Sequence, residues 1–308
     1  MFTRLHRDAD VLVENLRPGT LDRLGFGYAQ ASALNPRLIY ASVSGYGHTG
    51  PRRDEAGYDP VAQAEAGVMD VTGPAGGDPS RVGVAITDIL AGQYLFSGIL
   101  LALRDRERTG RGQAIDIALF DAILSTMAMP YGIAVATGEA PTRMGNRHPS
   151  IAPYETFPTR DGLVMVCGGN PKLWRQFCLA LERPDLADDP RFATNSDRLA
   201  RRDELIAIVE ARSRAWTTDE FVARLDAHQV PCGRVRTIAG AMADPQVDAR
   251  GMRVPLPHPT FGTVPTIGNP MKLSDLPPVY RRPPPALGEH TDEILRELGL
   301  DAAPARPR

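Results

Sequence analysis

With 308 residues and 43% hydrophobic content, the chain has enough material for about two globular domains and a large core. Its 35 basic residues, in which Lys172 and Lys272 are the only lysines, nearly balance 37 acidic ones, and a net charge of −2 makes no electrostatic case for nucleic acid or an anionic membrane. Three cysteines without C-x-x-C spacing and six histidines without H-x-x-x-H or H-E-x-x-H spacing suggest neither a disulfide framework nor a metal site, so a cytoplasmic, metal-free protein is expected. The N-terminus lacks the apolar core of a signal sequence. The most apolar helical run, residues 89–103, is interrupted by Gln93 and ends in RDRER, so neither export nor membrane insertion is expected.

In chain order, residues 1–8 read as the tail of a helix, and residues 9–13 (ADVLV) as a buried strand ending at Glu14-Asn15. Pro18-Gly19 opens a short helix over 20–24. A second helix over 28–35 and a strand over 38–43 (LIYASV) follow. Strands alternating with helices call for a parallel sheet. The Gly- and Pro-rich segment 44–59 reads as a loop at the sheet's carboxyl edge, leading into a helix over 60–69. A short apolar run over 82–86 then reads as a strand, and from Ile89 apolar residues recur at helical spacing to Leu103. Asp88 is therefore expected where a strand ends and a helix begins, ionised and held by the helix N-terminus, at the edge where open α/β sheets bind ligands. Asp is also among the best N-caps, and capping alone would explain it.

Gly110-Arg111-Gly112-Gln113 forms a structural turn into the next strand, since a phosphate loop would need a strand before its glycines and a helix after them. A helix over 120–136 ends at Thr137-Gly138, and residues 138–150 read as a linker. Beyond it come strands over 154–157 and 163–167 and helices over 171–181, 185–191, 198–214 and 218–228, the last capped by Thr217. From about residue 242 the chain is proline-rich and extended, with a helix over 291–298. The final DAAPARPR reads as a frayed tail.

Taken with the central stretch 83–122, the signatures SGYGHTGP (44–51), GYDPVAQAEAG (57–67) and TGRGQAIDIALFDA (109–122) make the chain similar, over nearly all of residues 8–300, to the family III CoA-transferases, the family of formyl-CoA and carnitine CoA-transferases. The resemblance implies an α/β fold. Its parts would be an open parallel, Rossmann-like sheet domain over 1–137, the linker 138–150, a smaller α+β domain over 151–241, and a C-terminal arm over 242–308 returning to the large domain. It also implies an interlocked homodimer. The family opens with further β-α units, so the sheet is expected to be incomplete at its start.

By that resemblance Asp88 is the nucleophile of an acyl-CoA:carboxylate CoA-transferase. A carboxylate attacks the thioester, forms a mixed anhydride, and carries CoA as an aspartyl thioester until an acceptor acid takes it, aided by nearby N–H donors. No permanently bound cofactor is implied, CoA thioesters being the substrates. Segment 14–28 (ENLRPGTLDRLGFGY) resembles the family's cradle for the adenosine diphosphate of CoA: Asn15 could bond base or ribose, Arg17 and Arg23 pair with phosphates, and Leu16 and Leu24 flank adenine. An ordinary capped turn with solvated arginines is the alternative. Tyr58 and Asp59 fall in the same pocket, and Gly145 and Asn146 on a substrate loop that reads equally well as linker.

The related acyl-CoA racemases place a His where this chain has Tyr58 and a Glu where it has Asn170. Neither Tyr nor Asn has the acid–base character racemisation needs, although Tyr58 could orient a thioester carbonyl or be structural. Two alternatives stay open: an acyl-CoA racemase or isomerase on the same scaffold, and a catalytically silent fragment that needs a partner chain.

Overall fold

The computed structural model describes residues 1–300; residues 301–308, read above as a frayed tail, lie outside the described residues. The chain divides into two compact units, Met1–Pro149 and Ser150–Arg308.

The first unit runs α1 (Phe2–Asp8), β1 (Val11–Glu14), α2 (Thr20–Arg23), α3 (Tyr28–Leu34), β2 (Ile39–Ser44), α4 (Asp59–Glu65), α5 (Val68–Val71), α6 (Ile86–Thr109), β3 (Ala114–Ala118), α7 (Leu119–Leu124), a 3₁₀ turn (Ser125–Met127) and α8 (Ala128–Thr137). Its sheet is parallel in the order β1-β2-β3, with Val11 beside Ile39 and Tyr40 beside Ala114. The central β2 is buried along almost its whole length, as a parallel strand covered on both faces must be, and α6 packs on it and on β3.

Helix α6 ends at Gly110, whose φ of 72° closes the C-terminus behind Arg106 and Arg108. Gly112 is required for another reason, since a Cβ there would fall 2.0 Å from the Leu38 carbonyl oxygen.

Three expectations change here. Residues 82–86 form no strand, because Val82 N–H is taken by the Gln63 side chain at 2.8 Å and the chain turns directly into α6 at Ile86. The helix expected over 60–69 is broken at Gly67, whose φ is 81°. The helix expected over 120–136 is split by the 3₁₀ turn, with Pro130 in the first turn of α8.

By length and composition alone, Ile86–Thr109 and Leu119–Thr137 could cross a bilayer. Within the first unit α6 packs on β2, β3, α4 and α7, while much of its length and most of α8 stay exposed, with no residue of α8 buried.

The second unit contains β4 (Tyr154–Pro158), β5 (Leu163–Cys167), α9 (Pro171–Ala180), α10 (Asp185–Asp188), α11 (Asn195–Ala200), α12 (Arg202–Ser213), α13 (Thr218–Ala227), β6 (Cys232–Arg234), α14 (Ile238–Met242), α15 (Pro245–Ala249), β7 (Arg253–His258), β8 (Gly262–Ile267) and α16 (Thr291–Glu297). Its core joins Phe157, Trp174, Phe177, Phe192, Leu205 and Phe221 around the antiparallel β4-β5-β6 sheet. Arg198 is buried among them, donating to the carbonyls of Ala152 (2.6 Å), Gly169 (2.9 Å) and Phe192 (3.0 Å) with its guanidinium over Trp174. Thr217 caps α13 in a reciprocal box with Glu220, and Asn170 caps α9 through Leu173 N–H.

The helix expected over 198–214 breaks at Arg201, and β6, α14 and α15 were too short to leave a periodic signal. The arm expected to be extended contains the β7-β8 hairpin, in which every residue lies on an edge and proline is tolerated.

Candidate active site

The segments that follow β1, β2 and β3 converge at the carboxyl edge of the first unit's sheet. Residues 15–18, 43–45 and Leu119, with the loop 55–58 and Asp88, line a cleft of about 400 Å³. Its floor is a backbone contact. A Cβ on Gly57 would lie 2.4 Å from the Cα of Gly45, and one on Gly45 would lie 2.7 Å from the Cα of Gly57, so both positions must be glycine for the two loops to meet.

Asp88 sits in the first turn of α6, three residues after Ala85, which is the N-cap. It was expected to cap the helix itself. The cap is instead supplied from α4: Asp59 Oδ1 accepts Thr87 N–H at 2.9 Å, and Asp59 Oδ2 accepts from Gln63 Nε2 at 2.9 Å. Gln63 Oε1 in turn holds Val82 N–H. Asp88 is thereby left without a hydrogen-bond partner among the described residues, its side chain exposed at the cleft. Desolvation, and then the neighbouring Asp59 charge, pushes its carboxyl above the usual Asp value, the reverse of the lowering expected of a cap. An unpartnered carboxylate at a cleft, its charge disfavoured by partial desolvation and a neighbouring acid, is suited to nucleophilic attack.

Of the other residues singled out in the sequence, Asn15, Leu16, Arg17 and Tyr58 line the cleft with Asp88. Arg23 and Leu24 do not: Arg23 Nη2 donates to Thr20 Oγ1 at 3.1 Å, and Leu24 is exposed beyond the rim. Asp59 is only 6% exposed and stands behind the wall, acting on the start of α6. Gly145 and Asn146 do not line the cleft either. Gly145 N–H donates to the Gly73 carbonyl at 2.8 Å, and Arg143 fastens the same segment through Gly77 O and Asp70 Oδ1. A larger, more apolar cavity of about 520 Å³ beside α8 shares no lining residue with the cleft.

Glu14, Gly45, Gly57 and the Asp59–Thr87 contact were missed in the sequence. Only the glycines left a signal there, as Gly-rich loops of unassigned partner.

A profile of CoA-transferase family III matches residues 1–291. The chain belongs to that family. Among its relatives it is 40% identical to the succinate–glutarate CoA-transferase of Agrobacterium fabrum over 100% of this chain and 77% of that one. It is also 40% identical to the acetyl-CoA:oxalate CoA-transferase of Acetobacter aceti over 98% and 77%, and 38% identical to human succinyl-CoA:glutarate CoA-transferase over 94% and 66%. The chain thus spans between 66% and 77% of the length of these three relatives. Among solved structures, a CaiB/BaiF family protein from Brucella suis superposes with a TM-score of 0.86 at 41% identity, covering 96% of this chain and 77% of that one. Rv3272 of Mycobacterium tuberculosis superposes at 0.83 with 29% identity, covering 94% and 77%. The family III fold, mixed α/β with a parallel sheet, is therefore that of this chain.

Proposed function

We propose that this family III protein is an acyl-CoA:carboxylate CoA-transferase with Asp88 as nucleophile. The observation that carries the reading is the unpartnered Asp88 carboxylate at a cleft shared with Asn15, Arg17 and Tyr58. Asp88 attacks the thioester carbonyl of the donor and expels CoA as thiolate, leaving a mixed anhydride. The thiolate then attacks the aspartyl carbonyl, releasing the donor acid and forming an aspartyl-CoA thioester. The acceptor carboxylate attacks that thioester, and the freed thiolate takes the acceptor's acyl group, returning Asp88 as carboxylate. Every leaving group is an anion of moderate basicity, so no matched acid and base are needed, in agreement with Tyr58 at the cleft in place of a histidine.

Arg17 at the rim, with Arg23 beyond it, is assigned to the phosphates of CoA, and Asn15, Leu16 and Leu24 to its nucleoside end. Asp59 is assigned to holding the start of α6, and Gly145 and Asn146 to a loop over the acyl group. Relatives named for succinate, glutarate and oxalate point to short dicarboxylic acids as acceptors. The three thiols, none in a disulfide, agree with a reducing cytoplasm, and a homodimer is proposed as the working form.

The test is trapping. Incubation with succinyl-CoA followed by hydroxylamine is expected to leave an Asp88 hydroxamate detectable by peptide mass, and transfer to glutarate should vanish in Asp88→Asn. An Asp88→Asn protein that transfers CoA at the wild-type rate would sink the assignment.

A further inference from the structure

Two of the cleft's walls diverge after neighbouring strands, residues 15–18 after β1 and the SGYGHTGP loop after β2. One side chain reaches both. Glu14 ends β1, and its side chain is only 9% exposed. Its Oε2 accepts Leu16 N–H at 2.8 Å, closing a turn around Asn15, while its Oε1 lies 3.8 Å from His48 Nε2. That nitrogen is shielded from solvent and makes no hydrogen bond among the described residues. His48 is itself fixed through its backbone, since its N–H donates to Asp116 Oδ2 at 2.9 Å, and Gly47 N–H donates to Ser44 Oγ at 3.0 Å.

This is a costly place for a carboxylate. Asp22 and Asp116 face it with like charge, and Tyr40 stands on the adjacent strand with its phenol pushed up to about 12, chiefly by burial. Burial also pushes the Glu14 carboxyl up, against the opposing pull of Leu16 N–H and His48. Leu16 lies in an exposed segment whose amide water could satisfy, so the bond is not needed to satisfy a buried donor. What it does is fix the direction of residues 15–17.

We propose that Glu14 is a positioning residue for CoA binding: by holding Leu16 N–H and facing His48, its carboxyl group sets the backbone that turns Asn15 and Arg17 toward the Asp88 cleft and ties that turn to the 44–51 loop. The inference rests on the reading of the cleft as the CoA site. A group that pre-sets a binding turn acts on affinity and leaves the chemical step alone.

The experiment compares Glu14→Met, which fills the same volume without an acceptor, with Glu14→Gln, whose carbonyl oxygen can still accept Leu16 N–H. Succinyl-CoA and glutarate are the substrates, and calorimetry with free CoA runs alongside. Glu14→Met is expected to raise KM for succinyl-CoA about tenfold with kcat within about threefold, and Glu14→Gln to restore KM to within about threefold. In the wild type, Leu16 amide exchange should be slowed at least about tenfold relative to an unstructured peptide. An unchanged KM in a cooperatively melting Glu14→Met protein overturns the inference, as does a Gln variant as impaired as Met. Leu16 exchange at the unstructured rate overturns it independently of either variant's folding. If wild-type protein fails to bind CoA at all, the reading of the cleft falls first and the inference with it.

Discussion

Asp59 Oδ1 accepts the Thr87 backbone N–H at 2.9 Å, so the helix that presents Asp88 is capped by a side chain 28 residues earlier in the chain. The contact is buried, and Gln63 shares the same carboxylate. Asp59→Ala should cost about 2–3 kcal/mol, because it leaves the Thr87 N–H and the Gln63 amide without a partner. A lowered denaturant midpoint at constant slope is the expected reading. Thr87→Val should be neutral or stabilising by up to about 1 kcal/mol, since the Thr87 hydroxyl is buried without a partner and only the backbone N–H does the capping.

In the proposed mechanism Asp88 must be ionised to attack, and its carboxyl is pushed above the ordinary value of 3.8. Transfer should therefore fall as pH drops through a value above 3.8, and the acid limb of kcat/KM should move down in Asp59→Asn, which removes the second cause of the shift. The stability sign runs the other way. A carboxyl raised in the folded state favours folding when protonated, and that contribution is lost as pH rises from the unfolded value through the folded one. Asp88→Asn should then be at least as stable as wild type at pH 7, with the difference closing below the unfolded value. An acid limb at or below 3.8 would contradict the geometry.

Gly57→Ala places a methyl group 2.4 Å from the Gly45 Cα, so the loops that form the cleft floor must part. A loss of about 1–3 kcal/mol and of most transfer activity is expected. Gly92→Ala, inside α6 with nothing within 4 Å of the added carbon, should instead stabilise by about 0.5–1 kcal/mol and leave activity intact. Thermal melts of the two variants read out the contrast.

Arg17 lines the cleft and Arg23 stands outside it, and both are proposed to pair with the phosphates of CoA. Each substitution by Ala should weaken free CoA binding by about 1–3 kcal/mol if it pairs with phosphate. Calorimetry against dephospho-CoA separates them, because the arginine at the 3′-phosphate is the one whose loss no longer matters with that ligand.

Leu101 on α6 and Tyr131 and Val135 on α8 are large apolar side chains left exposed on the first unit. A homodimer that buries such surface should scatter light as twice the chain mass at micromolar concentration, and a monomer under those conditions would remove the proposal.

Much of this protein was legible in residue order because its signals are local. Periodicity marked β1, β2, α6, α9 and α13, glycines with positive φ marked the ends of α6 and α8, and Thr217 announced the start of α13. Asp88 itself was found from its flanking pattern and its family resemblance. Tertiary structure alone decided what Asp88 is: the strand expected before it does not form, and its capping role passes to Asp59. Its carboxyl group is consequently left unpartnered and raised. Those outcomes, and the cleft around them, depend on groups distant in the chain, Gln63 on Val82, Asp59 on Thr87, the backbones of Gly57 and Gly45, and Glu14 on His48. A hydrogen bond or a glycine contact at such separation leaves no periodic trace in the chain, and it exists only once the carboxyl ends of three strands have been brought to one edge.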